Sequence, residues 1–109
     1  MSEVPTILWD GKTGKEYKYL IYPIGTTFKR VAGNYVFTKE TKPHEWKPIY
    51  VGETDNLEQR LTANHEKLPC VKKHGGTHVH VHTSSDDTTI RQKEESDIRD
   101  KWNPPCNLE

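Results

Sequence analysis

Cysteine is scarce. Only Cys70 and Cys106 occur among 109 residues, too few for a disulfide framework or a four-thiolate zinc site. The expectation from so few is two reduced thiols in a cytoplasmic protein. Long apolar runs are also missing. None approaches the roughly 20 residues needed to span a bilayer, so no membrane partner is expected. The opening Met1-Ser2-Glu3-Val4-Pro5 lacks the basic-then-apolar pattern of a signal peptide. Net charge is absent: 16 Lys plus Arg balance 16 Asp plus Glu. That argues against a nucleic-acid binder working by bulk electrostatics alone, while leaving room for a local basic patch. Apolar residues reach 31% against 29% charged, which implies a small core under a heavily solvated surface. What is present is bulky, with three Trp, five Tyr and two Phe, and this excludes wholesale disorder. The length suits one domain.

Periodicity then sketches the elements. Ile7, Leu8 and Trp9, followed by Tyr17, Tyr19, Leu20, Ile21 and Tyr22, flank a glycine-containing spacer. They predict a strand–turn–strand hairpin ended by Pro23 and Gly25. Residues 33–38 and 49–52 predict two further strands, paired antiparallel, with polar residues 39–48 and their Pro43 and Pro48 as the loop between them. Thr54 or Asp55 is placed to cap a helix through Leu57 and Leu61, with Glu58 at capping-box spacing and Pro69 as its stop. Residues 77–83 alternate, putting Val79 and Val81 on one strand face and His78, His80 and His82 on the other. Residues 84–87 form a loop and cap. A second helix follows over 88–102 on Ile90, Ile98 and Trp102, closed by Asn103-Pro104-Pro105. The fold class is α/β: a small central antiparallel sheet of three core strands, with an N-terminal hairpin over residues 1–30 packed on a helix-flanked domain at 31–107. Leu108-Glu109 is open to reading as a cloning remnant and carries no weight.

Five features stand in a particular order. Gly33-Asn34-Tyr35 opens one strand and Tyr50-Val51-Gly52 lies in the next. Arg60 follows Tyr50 by ten residues, Glu95 sits on the second helix, and Asn107 comes twelve residues later, after Pro104-Pro105. Across residues 33–107 this order resembles the GIY-YIG nuclease family, whose members include the incision domain of bacterial nucleotide-excision repair, homing endonucleases and some restriction enzymes. The resemblance implies a GIY-YIG-like fold and an endonuclease that hydrolyses DNA phosphodiesters, in repair or recombination, with Mg²⁺ or Mn²⁺ as cofactor. It implies that Tyr35 and Tyr50 share the role of water activation, that Arg60 stabilises the phosphate, that Glu95 is the metal ligand, and that Asn107 organises the site. A domain this small is expected to borrow target specificity from a protein partner. The residue types suit that chemistry on their own terms. A phenol can position or deprotonate water when cations lower its pKa, a guanidinium matches a phosphate, and Mg²⁺ often takes one or two carboxylates and keeps its waters.

Each residue also has a plainer reading. Tyr35 and Tyr50 could be core aromatics, Arg60 a surface helix residue, and Asn107 a cap after two prolines. Glu94 competes with Glu95 for the helix face, and the twelve-residue step to Asn107 favours Glu95. Gly33 and Gly52 are expected to allow close backbone approach at the site. Some relatives carry lysine where this chain has Glu53, so Lys47 or His65 would have to supply base activation. His65 is also placed to contact substrate. Lys67, Lys72, Lys73 and His74 form one basic segment that could steer a phosphate backbone or simply be solvated. The His78/His80/His82 face could take Zn²⁺ or Ni²⁺, but imidazoles two apart on a flat strand converge poorly, and a wet face is favoured. Glu53 and the zero net charge keep a second function class open: a scaffold without turnover that binds nucleic acid or protein.

Overall fold

Short runs rich in β-branched and aromatic residues build β1 (Thr6–Asp10), β2 (Glu16–Pro23), β3 (Gly33–Lys42), β4 (Glu45–Thr54) and β5 (His78–His82). A computed structural model describes residues 4–83 and 86–108. The expected loop positions Ser84 and Ser85, the first three residues and Glu109 lie outside the described residues. The strands form one antiparallel sheet in the order β1-β2-β5-β3-β4. The N-terminal hairpin is part of it, with Leu20 opposite Val81 and Tyr22 opposite Val79. The helices are α1 (Leu57–Arg60), α2 (Leu68–Lys73), α3 (Thr88–Trp102) and α4 (Pro105–Leu108). Among the described residues no helix is long and apolar enough to cross a membrane.

Both sheet faces carry a core. On one, Tyr35, Phe37, Val79 and Val81 pack with Leu57, Leu68, Val71 and Cys106 from α1, α2 and α4. On the other, Trp9, Tyr17, Tyr19, Val36 and Val51 pack with Ile98 of α3. Asp97 ties α3 to the first hairpin, accepting from the Thr13 backbone N–H and from the Thr13 and Tyr17 hydroxyls.

Several expectations change. The 39–48 loop shrinks to a Pro43-His44 turn, with His44 at φ 66, because Lys39, Glu40 and Lys42 pair with Lys47, Trp46 and Glu45. Pro48 is tolerated inside β4 because β4 is an edge strand whose outward side needs no ladder donor. The first helix is a single turn capped by Asn56, whose side chain accepts from the Gln59 N–H. Thr54 instead accepts from the Asn56 N–H and sets up that cap. Pro69 opens α2 rather than stopping a helix, since the first turn has no use for its missing N–H. The second helix has its expected bounds but not its expected stripe. Ile90 is 46% exposed and Trp102 38%, while Arg91, Glu95 and Ile98 are buried. Arg91 can lie inside because Glu53 and the Thr88 hydroxyl satisfy it.

The histidine face is not wet at its centre: Trp9 and Trp46 cover His80, which is fully buried, while His78 and His82 at the strand ends are only partly buried. Nor are the cysteines reduced: Cys70 and Cys106, with Cα atoms 5.9 Å apart, form a disulfide that joins α2 to α4. A sequence separation of 36 gives no local sign of that approach.

Candidate functional site

A bulge decides what meets at the sheet edge. Phe37 pairs with Tyr50 and Thr38 with Pro48, so Ile49 is the extra residue of β4. Ile49 and Tyr50 therefore both reach the α2-side core, which plain alternation would forbid. Two positions after Tyr50, Gly52 lies opposite Tyr35. A Cβ at Gly52 would stand 2.5 Å from both Cζ and Oη of Tyr35. The bare backbone of Gly52 is what gives that phenol its place.

Tyr35 Oη lies 2.8 Å from Nε2 of His65. Nδ1 of His65 accepts from the Lys67 backbone N–H at 3.0 Å, so the neutral ring carries its proton on Nε2 and donates it to Tyr35 Oη. Burial, and then the Arg60 charge, push the His65 pKa down to about 4, which keeps the ring neutral at pH 7. The Tyr35 and Tyr50 rings are 6.2 Å apart and lie 5.6 and 5.7 Å from the imidazole. Burial holds both phenols above the usual tyrosine range, while Arg60 opposes that shift at both through charge and hydrogen bonding. Arg60 also donates to Glu66 at 2.8 Å, and Lys67 Nζ sits 6.0 Å from the Tyr50 ring centroid. A single turn of helix and the bend after it thus gather a guanidinium, an imidazole and an ammonium around two phenols.

Glu95 arrives from the other face. Tyr50, Gly52, Glu53, Gln92, Glu95 and Arg99 line a cavity of about 380 Å³ where α3 crosses the edge strand. Burial raises the Glu95 pKa; Arg99, 3.2 Å away, opposes this, and the charge of Glu53 adds to it. Glu53 is itself bound at 3.1 Å by Arg91, whose side chain is only 2% exposed. The Glu53 carboxylate is therefore neutralised by a buried guanidinium. Glu95 and Glu53 both line that cavity, and each is paired with an arginine. Glu94 points elsewhere, to His82 at 3.4 Å.

Of the residues singled out in the sequence, Tyr35, Tyr50, Gly52, Arg60 and His65 cluster, and Glu95 joins them through the cavity it shares with Tyr50. Asn107 acts on backbone. Its Oδ1 accepts from the Val51 N–H at 2.8 Å and its Nδ2 donates to the Val51 carbonyl at 2.9 Å. That satisfies the outward side of the edge strand between Tyr50 and Gly52. Gly33 lies apart, where a Cβ would come 2.9 Å from the His82 carbonyl and from Leu57 Cδ1. Lys72 borders a second, more apolar cavity with Ile24, Phe28 and Phe37. Lys73 is exposed in the last turn of α2, and Lys47 is exposed opposite Lys39. Sequence reasoning passed over Glu66, Arg91 and Arg99. The i,i+4 spacing of Glu95 and Arg99 was a usable signal; the Arg60–Glu66 pair, bridged by a non-helical bend, had none. No family model matches the chain, and no curated protein or solved structure is significantly similar to it.

Proposed function

We propose that this chain is a metal-dependent endonuclease of the GIY-YIG kind that hydrolyses phosphodiester bonds in DNA. The observation that carries the reading is the meeting, at one sheet edge, of Tyr35, Tyr50, His65 and Arg60 with a cavity that Tyr50 shares with Glu95. These residues come from β3, β4, α1, the bend after it and α3, and core packing alone does not require a charged group among two phenols. The five-stranded antiparallel sheet flanked by helices is an α/β arrangement.

Tyr50 lines the cavity and so is the phenol that reaches the attacking water; Tyr35, buried behind it, is held by His65. Arg60 takes the phosphate. In the free chain its partner is the exposed carboxylate of Glu66, which an incoming phosphate would displace. The resulting anion beside both phenols favours their protonated form. Glu95, aided by Glu53, would hold the divalent cation, which would polarise the phosphate and stabilise the departing oxygen.

The test is plasmid and branched DNA incubated with the protein in Mg²⁺ and then in chelator. Nicking that needs Mg²⁺ and is abolished by both Arg60→Ala and Glu95→Ala, in variants that retain the parental circular dichroism, is the expected result. Cleavage retained in both folded variants refutes the mechanism. DNA binding without metal-dependent cutting would instead favour a scaffold that binds without turnover.

A further inference from the structure

Away from the phenol cluster, the junction of α2 and α4 gathers a second set of donors. Cys70 and His74 are four residues apart, and the His74 N–H bonds to the Cys70 carbonyl, so both side chains rise on one side of α2. Cys106, fully buried on α4, faces them. The two sulfurs and a ring nitrogen of His74 all lie within 4.8 Å of one another.

We propose that the reduced chain binds one Zn²⁺ through Cys70, His74 and Cys106, so that disulfide and metal are alternative occupants of this junction. Zn–S bonds of about 2.3 Å in a tetrahedron place two sulfurs about 3.8 Å apart. That separation is reached by rotating side chains over the existing Cα distance of 5.9 Å, without parting the helices. Two thiolates and an imidazole form a soft set that selects Zn²⁺ over Mg²⁺ or Mn²⁺, which separates this site from the carboxylate cavity at Glu95. Three protein ligands leave the fourth position to water.

The exchange balances. A dithiol gives two electrons and two protons to the S–S bond and becomes a cyclic disulfide itself, leaving two protein thiols. As two Zn–S bonds form, each thiol loses its proton to solvent, while neutral His74 contributes a lone pair and no proton. Cys106 directly precedes Asn107, whose amide clamps Val51, so the exchange takes place one residue from the support of the edge strand. The proposal does not depend on the nuclease reading.

The test uses the full chain, either oxidised or reduced with a water-soluble phosphine that is then removed together with all metal. Zn²⁺ is titrated against a chromophoric chelator, and released protons are followed with an indicator dye. The reduced chain is expected to take up one Zn²⁺ with release of two protons, and the oxidised chain to compete at least a hundredfold less well. Because loss of an outer-shell partner already weakens a zinc site by about tenfold, His74→Gln should lose at least that much. Its oxidised form should melt as the parent does, since His74 is only partly buried. Equal uptake by the two redox forms overturns the proposal, as does a His74→Gln variant that loses less than tenfold. A reduced chain that stays unfolded with Zn²⁺ present overturns it as well. Co²⁺ added to reduced protein should give a thiolate-to-metal charge-transfer band that Cys106→Ser abolishes, and the same band persisting in that variant counts against the site.

Discussion

His65 and His80 pack on opposite faces of one sheet, and they differ in a way that separates a candidate site from a core. Both are buried, and both rings are held at both nitrogens. His80 accepts at Nδ1 from the Trp9 indole at 2.9 Å and meets the Thr38 hydroxyl at 3.2 Å through Nε2. Burial, with a lesser effect of His78, pushes its pKa to about 3. Around it stand the rings of Trp9 and Trp46, and it lines none of the cavities described above. His65 has a comparable shift, but its bond goes to a phenol that Arg60 also influences, beside a second phenol that opens onto a cavity. A perturbed histidine pKa is common to both. Converging charge and an access route belong to one alone, and they make the functional argument.

The comparison can be broken from either side. Trp9→Ala removes the lid over His80 and should cost about 3–5 kcal/mol of stability, leaving the proposed nicking rate per folded molecule unchanged. Tyr50→Phe should do the reverse, costing about 1 kcal/mol for its one hydrogen bond to Arg60 while lowering nicking about 100-fold or more. Urea unfolding and initial nicking rates measured on both variants check this pair. Equal effects on the two readouts would erase the distinction between the faces.

Acid tests what the two histidines share. In the unfolded chain each gains a proton near pH 6.5, while in the folded chain they hold out to about pH 4 and 3. Below pH 6.5 the unfolded state therefore binds more protons, and stability falls as pH falls. The slope is about 1.4 kcal/mol per pH unit for each histidine, until the folded pKa is reached. His80→Phe should remove roughly half of the combined slope between pH 6 and pH 4.5; urea midpoints across that range measure it, and an undiminished slope would mean that His80 does not titrate this way. The smallest effect belongs to the edge clamp. Asn107→Ala frees both polar groups of Val51 and should cost about 1–2 kcal/mol. It should also speed amide exchange at Val51 more than at Val36 on the neighbouring strand, and equal acceleration at both would rule out a local clamp.

Legibility in the sequence followed the range of the forces involved. The α3 helix could be bounded from Asp87, which accepts from the Thr89 N–H, and from Asn103, which closes it in the left-handed region at φ 46; both signals act within a few residues. The buried stripe of that helix was misread because Arg91 is apolar in no scale, and its burial depends on Glu53, 38 residues away. The segment after Arg60 was read as continuous helix. Its bend, with His65 Nδ1 holding the Lys67 N–H, has no periodicity to betray it. Tyr35, Tyr50, Arg60 and Glu95 were singled out through a family resemblance, whereas the partners that set their charge states, Arg99 apart, left no sign in the sequence.

The amino-acid order alone determined where short strands form and where the long helix starts and stops, because sterics and local hydrogen bonding act over a turn or a pleat. Only the folded chain decided that Cys70 meets Cys106, that a bulge at Ile49 turns Tyr50 toward Tyr35, and that His80 is sealed among tryptophans while His65 packs against two phenols, one of which lines a cavity. Those outcomes depend on which distant surfaces close on one another, and that is settled by burial and pairing summed over the whole sheet rather than by any single segment.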